Sequence, residues 1–231
     1  MSVSDLLKDQ MLLDVKERAA REWFGFGRWE APYWVIGMEP GGDDCPEIYT
    51  SWYQLGATPL LDAKEHEQDY NKLVSTEPER QTHFFAPKPK IQQWTWQPLI
   101  HIVLGFTASD EDSHVYQRDR FGSASGEGEM AVLELSAIAA KTYVFADQAT
   151  YQAGRIESLR NRLATHKPKI AVFYGVGCRS QYEKIAGGVF DEAGFYQSGN
   201  TLCVLIPHPA HAGKKYADWR ELGMSLKLMV G

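Results

Sequence analysis

Tyr33-Trp34-Val35-Ile36-Gly37-Met38-Glu39-Pro40-Gly41-Gly42 is the stretch that decides the fold. Four apolar residues run into a turn built from glycine and proline, so a short buried strand stops abruptly at a polar, backbone-constrained loop. A second stretch near the other end repeats the pattern. There Leu202-Cys203-Val204-Leu205-Ile206 breaks into Pro207-His208-Pro209-Ala210-His211. If both strands lie in one parallel sheet, a carboxylate (Glu39) and an imidazole (His208) come together from remote parts of the chain.

Working outward, Ala131 to Ile138 and Lys169 to Tyr174 read as two further buried strands, the last stopping at Gly175-Val176-Gly177. Helical patterns cover 5–24, 94–106, 150–165 and 216–229, and Ser180 to Ile185 begins another. Residues 110–129 read as a polar loop. Strands alternating with helices predict an α/β protein: three layers, α/β/α, around a central four-stranded, mainly parallel sheet. Such sheets bind ligands outside the carboxyl ends of their strands. Glu39, Glu134, Ser136, Tyr174 and His208 lie in or just after these strands.

The length of 231 residues suits one domain, 1–231. Residues 43–92 show no clean period and hold Pro46, Pro59, Pro78, Pro87 and Pro89, so they read as an irregular insertion with a possible helix near 62–74. An apolar content of 44% allows a sizeable core. No apolar run approaches the ~18 residues of a membrane span. The first ten residues carry acids and lack a signal peptide's pattern. Three widely spaced cysteines, Cys45, Cys178 and Cys203, suit reduced thiols in a cytoplasm, and no spacing suggests a metal cluster. His208-x-x-His211 lacks a third ligand, so no metal is expected.

The net charge of −6 argues against a protein that coats nucleic acid, but not against a local basic contact. Residues 43–79 hold nine acids and two bases, whereas Lys214, Lys215 and Arg220 follow the second loop. A solvated surface is the plain alternative for both patches. Likewise, Glu39 could be a helix cap and His208 a structural histidine. Glu134, in an apolar strand, needs a partner, either a ligand or an arginine such as Arg118 or Arg120.

Gly37-Met38-Glu39-Pro40-Gly41 and His208-Pro209-Ala210, each after a buried strand, resemble the motifs of the uracil-DNA glycosylase superfamily. That family has Gly-x-x-Pro-Gly or Gly-Gln-Asp-Pro-Tyr after its first strand and His-Pro-Ser or a relative after its last. The agreement in order and spacing covers most of the chain, with 43–130 the least similar part. The resemblance implies hydrolysis of an N-glycosidic bond to a deaminated or damaged base, without a cofactor. Glu39 would orient water and stabilise the sugar cation, and His208 would donate to the departing base. Gly37, Met38, Pro40, Gly41 and Gly42 would form the loop around the base, with Glu134 and Ser136 near its edge. Trp52, Tyr53 and Tyr174 are candidates to stack on it. His211, Lys214 and Lys215 would hold DNA phosphates beside a flipped nucleotide.

This chain departs from the pattern in three places. Glu134 and Ser136 stand where the family has a base-reading asparagine. Gly41 replaces the tyrosine that excludes thymine. Ala210 to Lys215 offers no apolar wedge. The expected partner is therefore DNA, single-stranded or damaged duplex, or a free base or nucleotide. A catalytically inactive binding module on the same fold is the alternative. A monomer is expected, with the oligomeric state left open.

Overall fold

The computed structural model describes residues 3–38, 45–87, 89, 93–138 and 145–230. Glu39, Pro40, Gly41 and Gly42 lie outside these residues. The chain begins with helix α1 (Val3–Glu22), the short strand β1 (Gly25–Phe26) and β2 (Tyr33–Gly37). Then come α2 (Pro46–Gln54), β3 (Leu60–Leu61), α3 (Ala63–Leu73), α4 (Trp96–Thr107) and α5 (Ser113–Asp119). The second half runs β4 (Met130–Glu134), α6 (Phe145–His166), β5 (Ile170–Tyr174), α7 (Arg179–Ala186), β6 (Phe195–Ser198), β7 (Thr201–Ile206) and α8 (Tyr216–Val230).

The sheet is mixed and has seven strands among the described residues, in the order β3-β1-β4-β2-β5-β7-β6. This corrects the expected four. β2, β4, β5 and β7 run parallel in the middle, with Gly37 opposite Glu134 and Tyr174 opposite Ile206. β1 joins β4 antiparallel, and β6 joins β7 antiparallel. The added strands have two to four residues, too few to show a period in sequence.

The central strands are buried on both faces, which explains their continuous apolar runs. Along β2 the side chains alternate between two clusters. Tyr33 and Val35 join the one containing Ile102, Phe106, Trp219 and Leu226 of α4 and α8. Trp34 and Ile36 join the one containing Leu159 and Leu163 of α6 and Tyr182 and Ile185 of α7.

Three local expectations need correction. β4 ends at Glu134 rather than 138. Beyond it, Leu135 and Ser136 still donate to the Gly37 and Met38 carbonyls, but the Ser136 hydroxyl accepts from the Ile138 amide and turns the chain. The polar loop 110–129 contains α5, capped by the Asp112 carboxylate on the His114 and Val115 amides. The stretch 43–92 holds the helix expected near 62–74, α3, capped by Asp62 through the Lys64 and Glu65 amides, and also the unexpected α2, with Pro46 in its first turn.

Candidate functional site

A cavity of about 1090 Å³ opens at the carboxyl ends of β4, β2, β5 and β7. Glu134, Met38, Tyr174 and His208 follow from those four strands in turn, and all four line it. The Tyr174 hydroxyl donates to Glu134 Oε1 at 3.0 Å. The His208 ring meets Tyr174 edge-on, with centroids 5.6 Å apart and planes at 72°. His211 lies 5.0 Å from His208, centroid to centroid.

The parallel register makes this grouping possible. Gly37 stands beside Glu134 on the neighbouring strand, with Tyr174 on the strand to the other side. A Cβ at Gly37 would collide with both the Tyr174 hydroxyl and the Glu134 carboxylate. Only glycine lets the pair close over the strand end. Gly175 then turns the chain at φ +94°, with Met38 packed against it. Tyr182 donates to the Tyr174 carbonyl at 2.8 Å and holds the end of β5.

Glu134 is also held from behind. Arg155, almost fully buried on α6, donates to the Glu134 and Leu135 carbonyls at 2.7 Å each. It also donates to the Trp23 carbonyl at 2.7 Å and the Ala20 carbonyl at 3.2 Å. One guanidinium thus ties the exit of β4 to the end of α1. The expected arginine partners of Glu134 are engaged elsewhere: Arg118 pairs with Asp119, and Arg120 with Glu129 and Glu111.

Half-buried His208 is held below the ordinary histidine pKa by desolvation and then by the nearby charge of His211. Its Nδ1 is buried and has no hydrogen-bond partner among the described residues. A neutral ring in this position offers one N–H donor and one acceptor to a ligand.

The opposite wall comes from α2, α3 and the segment after them. Ala63, His66, Glu67 and Tyr70 all face the cavity from α3. Their spacing of i, i+3, i+4 and i+7 is the sequence signal that could have identified them. Buried His66 packs against Trp23 and Phe26 at 5.2 Å, with its Nε2 3.3 Å from the Ile48 carbonyl. Burial lowers its pKa to about 4. Arg80 bridges Glu47 at 2.8 Å and Glu77 at 3.0 Å, and reaches Cys45 Sγ at 2.7 Å. Burial raises the Glu47 carboxyl, but bonds from Arg80 and Cys45 outweigh it, so the group sits below the usual range. Burial, and then the bond to Glu47, push the Cys45 thiol up.

Several expected site residues do not meet at the cavity. Trp52 is fully buried in the cluster of Trp23, Tyr49 and Leu61, and its indole donates to the Thr58 carbonyl. Tyr53, one position on, is 51% exposed and absent from the cavity wall. Trp23, Phe26 and Trp96 supply aromatic wall instead. Ser136 is buried in its own turn outside the main cavity. Lys214 lies over the Trp219 ring, and the Lys215 amide is capped by Asp218, so neither lines the site.

Among the described residues, no group of three His, Cys, Asp or Glu side chains is placed to hold a metal ion. Nor is any helix long and apolar enough to cross a membrane. The three cysteines are free and buried. Comparison of the chain with protein-family models and with curated proteins finds no match.

Proposed function

We propose that this chain is an N-glycosyl hydrolase of the DNA-glycosylase type, removing a deaminated or damaged base. The reading draws on the resemblance to the uracil-DNA glycosylase superfamily. One observation carries it. Glu134, Tyr174 and His208 converge on a single cavity at the strand ends, and Met38, the neighbour of Glu39, stands in the same wall.

The chemistry follows from charge. As the bond between sugar and base breaks, its electron pair leaves with the base and the sugar becomes cationic. The Glu39 carboxylate stabilises that cation and takes a proton from the water that attacks the anomeric carbon. An N–H of neutral His208 stabilises the departing base anion, which then takes a proton from solvent. The Glu134 carboxylate accepts from an N–H on the base edge, a preference that an asparagine would not impose.

A second reading, a binding module without turnover, is favoured by Glu134 in the place of a base-reading amide. Single-stranded oligonucleotides carrying uracil, hypoxanthine or xanthine separate the two. Abasic product that falls about 10²–10³-fold in His208→Ala, the cost of removing one such donor, and that is lost in Glu39→Gln, supports the enzyme. Tight binding with no abasic product supports the module. In the enzyme, the acid limb of the rate should lie below the ordinary histidine pKa of 6.5, because burial holds His208 down. His211→Ala should move that limb upward, since it removes the repelling charge.

A further inference from the structure

Outside the cavity, buried polar atoms gather where α4, α5 and α8 meet. His101 on α4 lies flat on Tyr216, the first residue of α8, with ring centroids 4.8 Å apart and planes at 19°. The Nδ1 atoms of His101 and of His114 on α5 are buried and have no hydrogen-bond partner among the described residues. Arg220, one turn along α8 from Tyr216, donates to the Ser109 carbonyl and to Asp110 at 3.0 Å. The Asp110 side chain is fully exposed, so water weakens its hold on that charge.

This junction accepts a neutral His101 and resists a charged one. A charged imidazole carries an N–H on both nitrogens, and the one on Nδ1 would be buried without an acceptor. The charged and titratable groups facing the ring are Arg220 and Tyr216 from α8, His114 from α5 and Asp112 at the cap of α5. Burial, and then the charges of Arg220 and His114, hold His101 below the ordinary histidine range against the opposite pull of Asp112. The Asp112 carboxylate already accepts from the His114 and Val115 amides. The Tyr216 face attracts a charged ring, but only while the ring stays stacked with its Nδ1 closed off from water. The anchors decide what can move. Gln97 donates to Gln117 at 2.7 Å and fixes α5 to α4. Along α8, Trp219 and Leu226 are fully buried, and a Cβ at Gly223 would strike the Ile102 carbonyl of α4. The chain before them is held more lightly, since 213–215 are exposed and Tyr216 is partly buried. That segment joins α8 to His211, which lines the cavity.

We propose that the stack of His101 on Tyr216 is an acid-operated latch: a proton on His101 drives its ring out toward water and frees the segment 212–218 that connects His211 of the cavity to α8. The rest of α8 stays docked on α4. The latch thus makes the placement of His211 beside His208 depend on pH through a residue outside the cavity.

The test is amide hydrogen exchange on the full chain, read by segment and corrected for the intrinsic effect of pH. Protection within 212–218 should fall at least about fivefold between about pH 7.5 and about pH 5, while that of 222–230 holds. His101→Phe keeps an aromatic ring against Tyr216 but cannot take a proton, so its protection should stay at the wild-type value of about pH 7.5 throughout. In the wild-type chain, the His101 imidazole followed by NMR should titrate below the ordinary 6.5, with the same midpoint as the exchange step. This second measurement decides the matter even where His101→Phe fails to fold. Protection of 212–218 that ignores pH, an equal fall in 222–230, a step that persists in His101→Phe, or a midpoint different from that of His101 overturns the proposal. None of these readouts involves base release, so each outcome leaves the hydrolase reading to its own assay.

Discussion

The two walls of the cavity are held by different forces. The strand-end wall rests on the core. The Glu134 amide donates to the Phe24 carbonyl, its carbonyl accepts from Arg155, and its side chain accepts from Tyr174, which Tyr182 fixes in turn. The α2–α3 wall is tied by Arg80 to Glu47 and Glu77 at partly exposed positions, with buried His66 as its apolar contact to Trp23 and Phe26. Glu134 and Tyr174 close two central strands and are fixed by hydrogen bonds on the strands themselves. The wall that shapes the rest of the cavity is assembled from short helices and ion pairs.

That contrast can be broken at its strongest point. Arg155→Leu leaves the Ala20, Trp23, Glu134 and Leu135 carbonyls without their donor. The expected loss is about 4 kcal/mol, read from urea unfolding. A loss below ~1 kcal/mol would mean that the strand-end wall stands without this support.

Acid probes the other wall. His66 has a folded pKa of about 4 against an ordinary 6.5, so the unfolded chain binds the proton first. The neutral ring's contribution is fully present above pH 6.5 and is lost as pH falls toward 4. The expected loss is roughly 3 kcal/mol over that window. Unfolding midpoints measured across it should show the slope, and His66→Phe should flatten it. An unchanged slope in that variant would assign the acid sensitivity to another group.

Gly37→Ala sharpens the comparison at one contact. The added methyl forces Tyr174 and Glu134 apart, at about 2 kcal/mol for overpacking. Tyr174→Phe in the same background should recover part of the loss, because it removes the atom that clashes first. Additive losses in the double variant would place the strain elsewhere. The smallest effect on unfolding is expected for Arg80→Met, whose ion pairs are partly solvated. Its signature should instead be faster proteolysis within residues 45–87. Unchanged cleavage there would mean that Arg80 does not hold this wall.

Much of the framework was legible in the sequence. Continuous apolar runs such as Val35-Ile36 and Val204-Leu205-Ile206 require burial on both sides, and the glycine–proline turns after them require an abrupt stop. The short strands were not legible, because β1 and β3 have two residues each and exist only through pairing, β1 with β4 and β3 with β1. Among the aromatics, composition could not choose between Trp23 and Trp52. Both belong to one cluster, yet only Trp23 also reaches the cavity. Arg155 looked like one more polar residue of a helical pattern, since nothing in its neighbours reveals four carbonyls waiting in other elements.

Sequence alone thus determined the four central strands, most of the long helices and which strand ends carry a polar or titratable side chain, because these depend on periodicity and local backbone limits. Tertiary structure decided that Glu134 would meet Tyr174 across Gly37, that His208 would lie against Tyr174, and that α3 would close the far side. Those meetings depend on strand order and register, and no short-range pattern encodes the distance between residues thirty or more positions apart.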